Sequence, residues 1–330
     1  MFKGDKMLMV RSPLRITLGG GGTDLPSYAS RYGGSCISAA INKYVYVGIN
    51  RPYSEEIILK YSRQEFPANI NSIEHPIFRE ALRMIGFRTP QLEIISVADV
   101  PSDGAGLGNS GAFTVALLKA LFGHKNNPMS QEDVAAIACT INMTILEKTQ
   151  GAQDEYISAL GGIRHMTFEG KNVIAEPMSI SHNTLMDLEE NLMLFYTNIQ
   201  HNTEAILSYQ ESRTVNDDAF IIKNLDETKD LGVLSYIKLI NGETKDFGYL
   251  LNHQWTLKEQ RMPEQSPFLH ALHHDLNKNG AIGNKLVGSG MGGFALVYAE
   301  DRNKVRDFMK KKGLEELRFN FDFEGCKRIV

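Results

Sequence analysis

Gly104-Ala105-Gly106-Leu107-Gly108-Asn109-Ser110-Gly111 follows the alternating segment Gln91 to Val100 and the turn Pro101-Ser102-Asp103. It runs into Ser110 to Phe122, where Phe113, Leu117 and Leu121 recur every four residues. Strand, glycine loop and helix N-terminus in that order suit an anion. Glycines let backbone N–H groups turn inward, and the first helical turn adds unpaired donors and the positive end of the dipole. Ser110 adds a hydroxyl suited to phosphate oxygen or Mg²⁺. The plainer reading is a tight turn, but a turn needs one glycine and this loop has four. Gly106 to Gly111 also fits the letters of a dinucleotide fingerprint, as does Gly288 to Gly293. In a dinucleotide fold, however, the first glycine follows the strand directly and an acidic residue lies about 20 positions on. Here five residues intervene, and the downstream region is the polar loop Gly123 to Pro128. No Gly-x-x-x-x-Gly-Lys-Ser/Thr occurs. A phosphate loop of a third type is required.

Outward from that loop the chain reads as mixed α and β structure. Met7 to Leu18, ending in Gly19-Gly20-Gly21-Gly22, Ser35 to Arg51 and Glu56 to Tyr61 read as strands. Ser130, with Asp133 three residues on, resembles a capping box that opens a helix to about Glu147. Shorter β segments follow Gly161-Gly162. A mostly helical stretch spans Asn202 to Leu276, with a loop expected at Ser212 to Asp217. Phe294 to Tyr298 reads as a strand, Asp301 to Lys312 as a helix and Leu317 to Phe323 as a last β segment. A change of pattern near residue 180 divides the chain into expected domains 1–180 and 181–330, giving an α+β protein.

The 330 residues suffice for two cored domains, and 42% apolar with 22% charged residues is ordinary globular composition. No apolar run approaches the ~20 residues of a membrane helix, and Met1 to Val10 lacks a secretory apolar segment. No membrane association is expected, and the cytoplasm is the expected compartment. Cys36, Cys139 and Cys326 are scattered and read as apolar filler. With a net charge of −4 and interspersed signs, no basic face exists for nucleic acid. A homodimer is left open beside a monomer. His270, His273 and His274 include an i, i+4 pair without a third ligand, so a solvated helix face is expected there. Trp255 and Lys258 read as core packing at a domain interface, and Lys310 to Lys312 as a solvated helix end.

Three motifs in order carry a resemblance to the GHMP kinases, the family of galactokinase, homoserine kinase, mevalonate kinase and phosphomevalonate kinase. Arg11-Ser-Pro-Leu-Arg15 through Gly22-Thr23-Asp24 resembles the N-terminal motif, Pro101 to Ala112 the phosphate loop, and Lys285 to Phe294 the C-terminal glycine motif. Gly19 to Asp24 and Gly151-Ala-Gln-Asp154-Glu-Tyr156 are most similar to the heptose-phosphate kinases, which phosphorylate C1 of D-glycero-D-manno-heptose 7-phosphate. The resemblance implies a two-domain fold, ribosomal-S5-like at the N-terminus and ferredoxin-like α+β at the C-terminus, with ATP and Mg²⁺ as cofactors and a sugar phosphate as acceptor.

It also implies roles. Asp154 takes the acceptor's proton or orients it, and Arg15 stabilises charge on the transferring phosphoryl group. Gly104, Ala105, Gly106, Leu107, Gly108, Asn109, Ser110 and Gly111 hold the nucleotide. Gly20, Gly21, Gly22, Thr23, Asp24, Gly151, Gln153 and Gly290 face the substrate, with Asp24 on ring hydroxyls. Galactokinase-like members carry a bulky Glu-His pair where this chain has Gly21-Gly22, so there is room for a larger, phosphorylated sugar. The chain departs from the pattern at Asn109 and Gly111, which leave Ser110 as the one hydroxyl. It departs again at Asn142, twelve residues before Asp154, where relatives tend to carry a magnesium-binding Glu. Ser110 and Asn142 are the metal ligands that remain. Glu147, five residues further along a helix, would face about 140° away. Galactose- or fucose-type 1-kinases, a binding protein without catalysis and a dehydrogenase are the alternatives.

Overall fold

The computed structural model of the chain describes residues 7–88, 90–100, 104–170, 172–200, 203–262 and 266–330. Residues 101–103 of the phosphate-loop motif lie outside them. In chain order the first elements are β1 (Leu8–Gly19), α1 (Pro26–Tyr32), β2 (Gly34–Asn50), β3 (Ile57–Lys60), β4 (Gln64–Glu65), α2 (Pro76–Met84) and β5 (Leu92–Ala98). Next come α3 (Asn109–His124), α4 (Gln131–Cys139), α5 (Gln153–Leu160), β6 (Ile163–Glu169), β7 (Asn172–Pro177), α6 (His182–Asn191), β8 (Leu192–Tyr196) and α7 (Thr203–Val215). The chain closes with α8 (Ala219–Ile240), α9 (Thr244–Arg261), α10 (Pro267–Lys278), β9 (Gly283–Leu286), β10 (Phe294–Tyr298), α11 (Arg302–Lys311) and β11 (Lys327–Arg328).

β1 and β2 are the spine of an eight-stranded sheet. They pair antiparallel from Leu8↔Ile49 to Gly19↔Ile37, and β2 is long enough to pair with β5 through its second half and β6 through its first. β3 joins β5 in parallel, and β11 returns the C-terminus to β1. A second sheet has the order β8-β10-β9, all antiparallel. α3 packs on β1 and β2, and it is buried nearly all round because its sequence is apolar on every face. Alternation along β1 then fixes the site. Leu14, Ile16 and Leu18 are fully buried in the core, where each such side chain contributes ~1.5–3 kcal/mol, and the intervening Arg15 and Thr17 face a pocket.

Several local expectations need correction. The helix after Ser130 is α-helical only to Cys139, and Thr140–Ile145 continues as a π-helical turn. Glu147 then adopts a left-handed φ of 51° and is exposed, so it leaves the helix axis by backbone reversal, not by a 3.6-residue rotation. The Ser130 hydroxyl accepts from Asp133 N (3.0 Å) and donates to Asp133 Oδ2 (2.7 Å), so the acid closes on the hydroxyl. The loop at Ser212 to Asp217 is mostly helix, since α7 runs to Val215 before Asp218 caps α8. Leu317 to Phe323 holds no strand. Its backbone pairs with the large sheet at one isolated bridge, Ile41↔Phe321, after the bridge Phe195↔Glu316 just before it, and the last strand lies at β11. No helix among the described residues is long and apolar enough to cross a membrane.

Candidate active site

The loop after β5 is held against β1, not left to solvent. Arg15 N donates to Leu107 O (2.9 Å), and the Arg15 guanidinium reaches Gly106 O. The C-terminal glycine run packs on it backbone to backbone: a Cβ at Gly106 would come 2.7 Å from Val287 O. Gly108, at φ 78°, is the left-handed N-cap of α3 and turns the helix axis toward the pocket. The first-turn amides of α3 have no acceptor inside the helix, as at any helix start.

Arg15 and Asp154 form the centre. Arg15 Nε donates to Asp154 Oδ1 (2.6 Å) and Nη2 to Oδ2 (2.9 Å), a fork on a fork. The Arg15 side chain is 7% exposed and that of Asp154 23%, so the carboxylate keeps an open edge on the pocket. α5 carries Asp154 in its first turn and crosses α3 closely. A Cβ on Gly111 would sit 2.7 Å from Asp154 Cβ, so glycine at 111 is the condition for this placement. One step along, the carboxylate of Asp24 accepts from Gln153 Nε2 (3.0 Å) and Gly22 N (3.2 Å), while Thr17 Oγ1 donates to Gln153 Oε1 (2.8 Å). Burial, then the neighbouring charge of Asp154, push the Asp24 carboxyl above its ordinary value. Gly151 lies directly against Asp24, leaving no room for a Cβ.

These groups line one cavity of about 570 Å³, within the usual range for small-molecule sites. On its wall are Arg15, Gly21, Gly22, Asp24, Gly104, Gly106, Gly108, Asn109, Ser110, Gly151, Gln153 and Asp154. The remaining expected site residues are elsewhere. Thr23 is fully buried; its hydroxyl accepts from Ser35 N and lies 2.8 Å from both Gly20 O and Ser35 O, so it ties the glycine turn to β2. Gly20 lies beneath that turn against Ser35, and Ala105 and Leu107 point into the core. Gly111 lies behind Asp154, and Gly290 lies under the stem of Lys258.

Asn142 is also off the wall and fully buried. Its Nδ2 donates to Thr114 Oγ1 (3.1 Å) and Glu155 Oε1 (2.8 Å), and Gln150 Nε2 donates to the same Glu155 oxygen (2.6 Å). Asn142 Oδ1 and Glu155 Oε2 are buried without a partner, but they are sealed from the pocket. Ser110 Oγ accepts from Lys148 Nζ (3.1 Å), so an ammonium already faces that hydroxyl. Among the described residues no group of three or more His, Cys, Asp or Glu is placed to hold a metal. Asn142 lies off the cavity wall that Ser110 lines, so the two expected ligands do not converge on one ion.

Sequence reasoning missed Lys148, Glu155, Gln254, Lys258, Arg261 and Lys285. The positions 254, 258 and 261 were a readable signal, because steps of four and three put polar side chains on one helix face. Lys258, expected in core packing, lines the pocket, whereas Trp255 is buried and stacks on His273 at 5.2 Å. His273 also bonds Asn284, and His270 bonds Glu259.

Residues 73–162 match the GHMP kinases N terminal domain. The chain is similar to D-glycero-alpha-D-manno-heptose 7-phosphate kinase of Campylobacter jejuni, at 26% identity with 98% of each chain covered. Among solved structures it is similar to a D-glycero-D-manno-heptose 1-phosphate kinase from Bacteroides thetaiotaomicron, with a TM-score of 0.79 and 21% identity over 98% of this chain and 99% of that one. Lactococcus lactis galactokinase complexed with galactose aligns with a TM-score of 0.74 and 14% identity over 98% and 95% of the two chains. A glycine loop, a strand arginine and an α5 aspartate thus share one cavity wall in a chain whose residues 73–162 match the GHMP kinases N terminal domain and whose whole length is similar to a heptose 7-phosphate kinase.

Proposed function

We propose that the protein is an ATP-dependent sugar kinase that phosphorylates the anomeric C1 hydroxyl of a heptose 7-phosphate of the D-glycero-D-manno type. The observation that carries the reading is the bidentate Arg15–Asp154 pair, set between the glycine loop on one side and Asp24 on the other. The terminal phosphates of ATP lie along the Gly104 to Ser110 loop and the N-terminus of α3. The sugar lies over Gly21, Gly22 and Asp24, which orients its ring hydroxyls. Asp154 accepts the proton of the C1 hydroxyl as the O1–P bond forms and the P–O bond to ADP breaks, and the Arg15 guanidinium balances the charge shifted onto the acceptor and phosphoryl oxygens. Mg²⁺ travels on the nucleotide's own phosphates in this reading, and no step needs an ion held by the protein. Residues 1–180 supply the glycine loop, Arg15 and Asp154, and residues 181–330 the opposite wall, in a cytoplasmic enzyme of carbohydrate metabolism.

ATP consumption across a panel of sugars and sugar phosphates tests this. Turnover with heptose 7-phosphate that Asp154→Asn abolishes, with nucleotide binding retained, is the expected result. Nucleotide binding without turnover on any sugar would instead make the protein a binding protein.

A further inference from the structure

α9 and β9 bring three cations to the cavity wall: Lys258, Arg261 and Lys285. Arg261 is 2% exposed and Lys285 4%, with Lys258 half-buried. Among the described residues, none of the three has a carboxylate within ion-pair distance. Their partners are neutral. Arg261 Nη1 donates to Asn224 Oδ1 and Thr228 Oγ1 (both 3.0 Å), and its Nε is buried with no partner. Lys285 Nζ donates to Gln254 Oε1 (2.6 Å), and Lys258 Nζ to Gly288 O (2.6 Å) and Leu286 O (3.2 Å). Burial pushes Lys285 down to about 7 and Arg261 down to about 10. Burial first, and then the charges of Lys285, Arg261 and Arg15, lower Lys258 as well.

Buried cations are normally paired, because an uncompensated charge in a low-dielectric wall is costly. This chain carries 39 acidic residues, yet among the described ones none forms an ion pair with these three. An anion bound in the cavity would supply the counter-charge that the described residues do not. Arg261 also fixes where the anion sits. A Cβ at Gly22 would lie 3.3 Å from Arg261 Nη2, so the guanidinium sits beside the loop that holds Asp24. Ser110, by contrast, already has a cation of its own in Lys148.

We propose that Lys258, Arg261 and Lys285 form a seat for the phosphate that the acceptor sugar already carries, and so select a phosphorylated sugar over a free one. The proposal rests on the sugar-kinase reading above. A planar guanidinium with two ammonium groups suits the oxygens of one phosphate dianion.

The test compares kcat/KM for D-glycero-D-manno-heptose 7-phosphate and for the unphosphorylated heptose, in the wild type, Arg261→Gln and Lys258→Met, with calorimetric binding of the heptose phosphate in the absence of nucleotide. Circular dichroism confirms folding, and Lys258→Met, which keeps the aliphatic stem, serves if Arg261→Gln does not fold. The wild type is expected to prefer the phosphorylated sugar by 100-fold or more. Each variant should cut that preference at least tenfold, mainly through KM, with KM for ATP changed less than threefold. Equal losses on both sugars, an unchanged preference, a matching rise in KM for ATP, or no binding of the heptose phosphate to the wild type would each overturn the proposal. Calorimetric binding that the variants lose, without turnover in the wild type, would uphold the seat and reject the kinase reading.

Discussion

Glu155→Gln should make the protein more stable, and the gain should grow with pH. The Glu155 carboxyl is fully buried behind α3, with Oε1 accepting from Asn142 and Gln150 and Oε2 without a partner. Burial first, and then the charge of Asp154, push its pKa from 4.5 up to about 7. Below the unfolded value both states hold the proton, and its contribution to stability is fully present. Between the two values only the folded state holds it, so stability falls as pH rises; past the folded value the loss is complete. At about 1.4 kcal/mol per pKa unit, the cost above pH 7 is on the order of 3 kcal/mol. Glutamine keeps an oxygen for both donors and removes the ionisation. Urea denaturation of both proteins from pH 4.5 to 8.5 should give nearly equal stabilities at the acid end and a variant favoured by ~3 kcal/mol at the alkaline end, about 4 °C in Tm. Asp154→Asn should move the wild-type transition to lower pH by removing the second cause. A stability difference between Glu155→Gln and the wild type that is flat with pH, or a variant less stable at pH 8, would refute the reasoning.

Gly111→Ala places a Cβ 2.7 Å from Asp154 Cβ and 3.1 Å from backbone atoms of residues 154 and 155, so α5 must shift. Turnover should fall by ~100-fold or more while nucleotide affinity, measured by calorimetry, changes only a few-fold. Arg15→Lys cannot span both Asp154 oxygens and Gly106 O. Its kcat should drop by ~100-fold, and a drop below threefold would show that the fork is not needed. Gln153→Leu leaves Asp24 without its side-chain donor and Thr17 without its acceptor. KM for the sugar should rise by ~10-fold or more, against an unchanged KM for ATP, in steady-state kinetics.

The sheet spine was readable because β1, β2 and β5 are long apolar runs with alternation, and the glycine loop because four glycines between a strand and a helix have few other uses. Asp154 and Arg15 were found through motif position, and their mutual fork makes them neighbours, which spacing alone does not fix. What remained hidden depends on contacts between distant segments. The π-helical turn at Thr140–Ile145 follows from packing that no local propensity encodes, and it moves Glu147 out of the helix. Leu317 to Phe323 has strand-like composition but pairs with the large sheet at a single bridge, Ile41↔Phe321, so tertiary context overrode propensity. Thr23 looked like a ligand because it adjoins Asp24, yet the turn after β1 directs its hydroxyl to the backbone of Gly20 and Ser35. The three cations on α9 and β9 are separated by 27 residues at the widest, and their lack of acidic partners is visible only once side chains are in place.

The most direct measurement is phosphorus NMR of the product formed from ATP and D-glycero-D-manno-heptose 7-phosphate, run with the wild type and with Asp154→Asn. One new phosphorus signal coupled to H1 of the sugar, present with the wild type and missing with the variant, is the predicted spectrum. A phosphoryl group on any other carbon, or the C1 ester formed equally fast by the variant, would contradict transfer to the anomeric oxygen under the control of Asp154.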